Sequence, residues 1–135
     1  MANNPFPYDA SVIAAVNAFT ALCNSGFLEI WSGTQPALNG ALTGTKLAKL
    51  SLSATAFATA TASAGTVTAT ANAITASAGL TSGTAGYFAL MKSDDSTIVA
   101  TGSVGTSGAD LNLSSLSITT AQVSITSFTV TEAES

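Results

Sequence analysis

A chain of 135 residues with 47% hydrophobic content is long enough for one domain with a core of its own and too short to suggest two. Charged residues make up 7% of it, where an ordinary soluble domain carries about 25%, the net charge is −4, and arginine and histidine are missing altogether. Three lysines cannot neutralise a phosphate backbone, no apolar run is long enough to cross a bilayer, and one cysteine without histidine excludes an intrachain disulfide and the usual zinc cages.

In chain order, residues 1–8, MANNPFPY, come first. Pro5 and Pro7 alternate with Phe6 and Tyr8, which favours an extended arm over a helix. Neither a basic n-region nor a cleavage pattern marks this stretch as a conventional secretory leader. Asp9 is placed to N-cap a helix over residues 10–24, with Val12, Val16, Phe19 and Cys23 on one face and Gly26 as its stop.

From Phe27 the period changes to two. FLEIW is expected to be a strand, with Phe27, Glu29 and Trp31 against Leu28 and Ile30, and Glu29 is expected to face solvent. Turn residues follow, and then Lys46 to Leu52 alternates again, setting Ala48, Leu50 and Leu52 on one side. Residues 53–82 are almost all Ala, Thr, Ser and Gly, the composition of a flexible linker. Strict alternation from Thr66 to Ala76, and the preference of threonine for strands, argue instead for a Thr/Ala strand followed by a loop over 79–86.

Tyr87–Lys92 and Thr97–Thr101, joined by Ser93-Asp94-Asp95-Ser96, form an expected hairpin. Further strands are expected at 110–113, 115–119 and 123–131, the last with a bulge near Thr126-Ser127, because Val123 and Ile125 have one parity and Phe128 and Val130 the other. About eight short strands with turns every 8–12 residues predict a mainly β fold: an antiparallel β-sandwich, jelly-roll-like, with one N-terminal helix. The domain itself spans residues 9–135 and the arm residues 1–8.

Candidate chemistry is thin. Ser and Thr have no histidine to activate them, and nothing in the spacing of Lys46, Lys49 or Lys92 marks a Ser–Lys pair. Glu29, Asp94, Asp95 and Asp110 are the carboxylates from which a glycosidase pair would have to be drawn. Asp94-Asp95 would bind calcium only if loop carbonyls or Asp110 joined it, and turn chemistry explains the pair better. Gly102 to Gly108 lacks the lysine of a P-loop and is expected to be a loop between strands. Trp31 could anchor an interface or stack on sugar, with burial beneath the helix as the competing reading. No catalytic residue, metal or cofactor is expected, and the chain is expected not to be an enzyme.

The candidate contact residues are Pro5, Phe6, Pro7 and Tyr8. Two large anchors on a proline-stiffened arm lose little entropy on docking, so the arm is expected to grip a neighbouring subunit, the other possibility being that it folds over its own sandwich.

Residues 83–113, GTAGYFALMKSDDSTIVATGSVGTSGADLNL, and 123–130, VSITSFTV, resemble small virion proteins of tailed bacteriophages. FLEIWSGTQPA and the LNGALTGTKLAKLSLSATAF after it are similar to the front half of that group. The resemblance implies a β-sandwich subunit of the phage particle, of capsid cement or decoration type; the acidic balance then places it on the outer surface of the virion capsid, with the major capsid protein as expected partner and a homo-oligomeric state expected on the shell. The alternative it leaves is a tail or fibre component, possibly a carbohydrate-binding module using Trp31 or Tyr87. Neither nucleic acid nor membrane is an expected partner.

Overall fold

A computed structural model describes residues 8–125 and 127–133. The chain enters at Tyr8, in extended backbone, and turns at once into helix α1, Asp9–Ala21. Asp9 is therefore the first helical residue and not the cap. Tyr8 holds the cap position, with no side-chain bond, and its carbonyl accepts from Ser11 N–H at 2.9 Å and Val12 N–H at 3.2 Å. Asp9 still helps the helix, because a carboxylate in the first turn faces the positive end of the helix dipole. Val12, Val16 and Thr20, four residues apart, form the buried stripe, while Phe19 is only half-buried. Ser25, not Gly26, takes the left-handed conformation at the exit (φ 57). Gly26 is required for a different reason: a Cβ there would sit 2.1 Å from the Met91 carbonyl oxygen.

Twelve strands follow among the described residues, many of them short: β1 Phe27–Trp31, β2 Lys46–Ser51, β3 Thr61–Ser63, β4 Thr66–Thr70, β5 Ser77–Ala78, β6 Gly83–Thr84, β7 Tyr87–Met91, β8 Ile98–Gly105, β9 Leu111–Asn112, β10 Ser117–Ile118, β11 Gln122–Val123 and β12 Thr129–Ala133. The largest sheet runs β2-β1-β7-β8-β9 and a second runs β12-β4-β3; β10-β6 and β11-β5 are two-stranded. The protein is thus mainly β with one helix, as its alternation and turn spacing predict. It is not antiparallel throughout: β8 and β9 pair in parallel, Val104 with Leu111 and Gly105 with Asn112, so the main sheet is mixed.

Strand β7, YFALM, is buried at all five positions. A strand covered on both faces needs an unbroken apolar run, and this one sits at the middle of its sheet. One side of the sheet presents Leu28, Ile30, Ala48, Leu50, Phe88 and Leu90 to a core shared with Val67, Ala69, Phe57 and Phe128 around the smaller sheet, and with Val12 and Val16 of α1. Phe128, just before β12, meets Phe88 of the main sheet edge-on at 5.2 Å and Phe57 at 5.9 Å between ring centroids. Gly102 lies opposite Phe88, and a Cβ there would be 2.4 Å from the ring, so the aromatic can lie down only over glycine.

The Ala/Thr/Ser stretch is ordered by packing and by asparagines. Asn17 of α1 accepts from Ala60 N–H and Asn24 from Ala56 N–H, both at 2.9 Å, while Asn72 donates to the Thr55 carbonyl at 2.8 Å. The expected strand over 66–76 forms as β4 alone, with Val67 and Ala69 inward, and ends where Ala71 pairs with the isolated Phe57. Its successor is not all loop: β6 lies within 79–86 and pairs with β10. The 102–108 segment differs likewise, since β8 continues through Gly105. The run 123–131 is divided between two sheets, with β11 pairing β5 and β12 pairing β4, and Thr126 of the expected bulge lies outside the described residues.

Candidate functional site

The other face of the main sheet holds most of what chemistry the chain has. Phe27, Glu29 and Trp31 share a parity on β1, and the antiparallel register brings Lys49 opposite Glu29, Lys46 opposite Trp31, and Tyr87, Ala89 and Met91 opposite them on β7. Glu29, expected at the surface, is 1% exposed. Its burial follows from the register, which sets it between Lys49 and small Ala89 with Lys46, Trp31 and Asp95 against its carboxyl.

The cluster is an alternation of charge. Lys46 Nζ lies 3.0 Å from Glu29 Oε2, and Lys49 Nζ lies 3.0 Å from Asp95 Oδ2. Trp31 Nε1 donates to Glu29 Oε1 at 3.1 Å. Each ammonium also stands over an aromatic ring, Lys46 at 5.8 Å from Trp31 and Lys49 at 4.8 Å from Phe27. Trp31 stacks on Tyr87, 6.3 Å between centroids and 18° between planes. The Tyr87 hydroxyl donates to the Thr43 carbonyl at 2.6 Å and accepts from Thr43 N–H at 3.0 Å, so the fully buried ring pins the loop between β1 and β2.

Two oxygens of this cluster, Glu29 Oε2 and Asp95 Oδ1, are buried with no amine, amide or hydroxyl donor aligned on them among the described residues, so the two carboxyls can bond only to each other through a proton; the Lys46 contact has ion-pair distance but not hydrogen-bond alignment. Burial pushes the Glu29 carboxyl above its ordinary value, and its bond to the Asp95 carboxylate pushes the same way, against Lys46 and Trp31. At Asp95 desolvation pushes upward too, but the hydrogen bond from Glu29 and the Lys49 ammonium hold it below the ordinary carboxylate value. The two carboxyls are therefore pushed in opposite directions, Glu29 up and Asp95 down.

Chemically this arrangement is a clamp. Lys46 and Lys49 are committed to carboxylates, and the five main cavities border none of these residues. It fastens the β7–β8 turn onto the sheet through Asp95, which sits at positive φ (56) to reach inward.

Adjacent Asp94 turns the other way. It accepts from Ser96 N–H and Thr97 N–H, both at 2.9 Å, and from the Thr97 hydroxyl at 2.7 Å. Those bonds, the Ser96 amide first, lower its carboxyl to about 2. The two aspartates thus diverge. Asp110 is at the far end of β8, accepting from Ser103 N–H at 3.0 Å and from the Ser103 hydroxyl at 3.1 Å. No group of three metal-ligating side chains occurs among the described residues, and no helix there is long and apolar enough to cross a membrane.

Of the arm residues, Pro5, Phe6 and Pro7 lie outside the described residues, and Tyr8 is 84% exposed. Trp31 is half-buried on the face away from the shared core and not beneath α1, which packs on β3, β4 and β12. Tyr87, as a sugar platform, is excluded by its burial. The sequence signal that marks the cluster is the one acidic residue in FLEIW facing the two lysines of KLAKLS, visible only once the strands are paired.

No family model, curated protein or solved structure matches the chain.

Proposed function

We propose that this chain is a structural subunit that works by packing against other protein subunits. Its place, on this reading, is the outer face of a bacteriophage capsid, where it bridges neighbouring major capsid proteins as a cement or decoration protein. The observation that carries the packing role is where the charges sit. Two lysines and two carboxylates are spent inside the Glu29 clamp. What remains is Lys92 and five carboxylates, which account for the whole net charge of −4. Apart from those few groups the outer surface is hydroxyls, methyls and backbone, close to the charge-poor composition of an interface core.

The capsid location rests on the resemblance of residues 83–113 and 123–130 to small phage virion proteins. An acidic, cation-poor surface suits the outside of a DNA-filled shell better than its inside. The main sheet and the β12-β4-β3 sheet act on this reading as the two layers of a sandwich, jelly-roll-like in use: a rigid body that spaces its contacts. Each bridge would bury roughly 800 Å² per partner, and repetition over a shell multiplies modest affinity through avidity. Pro5, Phe6, Pro7 and Tyr8 supply reach. The role asks for no chemical step.

The competing role, a tail or fibre module that stacks sugar on Trp31 or Tyr87, is weakened because Tyr87 is buried and the Trp31 ring already rests on it. Adding purified chain to capsids and to tails prepared separately, then sedimenting both, tests the proposal. Saturable binding to capsids is the expected result. Binding to tails alone, or specific retention on a glycan array, would overturn it.

A further inference from the structure

The two edges of the main sheet are treated differently. Along β2 the outer edge is covered: Leu47 carbonyl accepts from Leu80 N–H at 2.8 Å, and Ser51 pairs with Thr75. Along β8 only the last two residues are covered, by β9.

The direction of the uncovered groups follows from their neighbours. Ser103 N–H points away from β7, to Asp110, and Gly105 carbonyl points away from it, to Leu113 N–H at 2.8 Å. Main-chain groups of alternate strand residues point the same way. Thr101, two residues before Ser103, therefore turns its N–H and carbonyl outward, and no other main-chain group meets them among the described residues. Beside this strand is a groove of about 530 Å³ between Ile98–Thr101 and the Gln35–Gly40 loop, bridged at one point where Gln35 Nε2 donates to the Thr101 hydroxyl at 3.1 Å, which leaves the Thr101 main chain free. It contains no charged side chain, and its rim carries Leu38, 94% exposed, and Ile98, 39% exposed. An open strand edge beside unpartnered leucine is a site for an added strand.

We infer that residues 1–7 of a second copy of this chain occupy the groove, adding a strand to the β8 edge at Thr101 with Phe6 against Leu38 and Ile98. Three features of MANNPFP fit the site. It has no charged side chain, as the groove has none. Asn4 and Phe6, each before a proline, are biased to extended backbone. Pro5 and Pro7 place their missing N–H groups on one edge of the strand, so the segment pairs through Asn4 and Phe6 on the other edge and then ends the sheet.

The donor is a second copy because of reach. Phe19 lines the same depression as Ala100 and Thr101. Tyr8 stands eleven residues earlier on the helix, about 16 Å away at 1.5 Å per residue. Seven extended residues span at most about 24 Å, so a chain feeding its own groove would use most of the arm in transit.

This inference deepens the packing role proposed above and rests on it, but its test does not use particles. Full-length chains carrying Phe6→Cys and Leu38→Cys are mixed under mild oxidation; Cys23 is buried and its thiol is pushed up to about 11, which keeps it unreactive. The expected product is a disulfide between the two chains, several-fold more abundant than between Phe6→Cys and Leu80→Cys chains. Equal yields would overturn the inference, as would a purely intrachain link in the doubly substituted protein. Sedimentation gives a second reading: Leu38→Asp, a change at an exposed side chain, is expected to weaken self-association roughly tenfold or more. Self-association unchanged by Leu38→Asp, or a full-length chain that is monomeric at high concentration, would also overturn it. Capsid binding is scored apart, so either proposal can fall without the other.

Discussion

The two faces of the main sheet are covered in different ways, one by an apolar core and one by a half-buried layer of charges and rings. On one, Leu28, Ile30, Leu50, Phe88 and Leu90 meet a shared apolar core; on the other, Glu29, Lys46, Lys49 and Asp95 are held among Phe27, Trp31 and Tyr87. Apolar packing is tolerant of direction, whereas a buried ion pair is not, and its desolvation cost leaves little net stability. The difference explains why a charge is kept here at all. In FLEIW both parities are hydrophobic, so alternation alone does not say which face is inward. A slip of one residue would turn Glu29 into the apolar core, so Glu29 sets the register.

Substitutions separate the two faces. The largest effect is expected on the apolar side, where Phe88→Ala removes the ring that covers Gly102 and meets Phe128, and should cost about 4 kcal/mol in urea unfolding with little change in slope. On the charged side Glu29→Ala should cost about 2 kcal/mol, because it empties a buried site and leaves Trp31 Nε1 without its acceptor. Replacing the pair together, Glu29→Leu with Lys46→Met, should bring the loss within about 1 kcal/mol. Amide exchange of β1 and β2 in that double variant should show a second register; a single protected register would refute the role given to Glu29. Smaller again, Tyr87→Phe should cost about 1 kcal/mol and loosen the loop around Thr43, read as faster exchange of the Thr43 amide.

The smallest effects are those of pH, and they have opposite signs. Asp94 has its carboxyl lowered from 3.8 to about 2, so its contribution is present above 3.8 and is lost as pH falls toward 2. Asp94→Asn should flatten the acid limb of the thermal midpoint between those values. Glu29 is raised from 4.5, so its contribution is full below 4.5 and fades as pH rises through its higher folded value. Glu29→Gln should remove that fading. A midpoint that still declines above 4.5 in Glu29→Gln would assign the slope to another group.

Local chemistry made much of the fold legible. The helix, β1, β2 and the β7–β8 hairpin announce themselves by a 3.6 or 2 period and by Asp94, whose three accepted bonds close the turn. What was not legible depends on distant partners. Glu29 was expected in water because its counter-charges are supplied by β2 and by a turn far along the chain, and nothing in FLEIW foretells them. The run 123–131 splits because β5 and β4 lie in different sheets, and no alternation within the run records that choice. Likewise β8 extends through glycines that look like a loop, since Gly102 is a strand residue only because Phe88 lies across it. The parallel β8–β9 pair leaves no local signature at all.

The Glu29 clamp also decides how the protein meets a protease. Trypsin cuts after lysine or arginine, and this chain offers three such bonds. Two follow Lys46 and Lys49, inside a paired strand with both ammonium groups engaged. The third follows Lys92, at the tip of the hairpin, where the turn held by Asp94 and Asp95 begins. Digestion of the folded protein therefore has one practical entry point, and the two fragments it makes, joined by the β7–β8 ladder, would stay together until denatured.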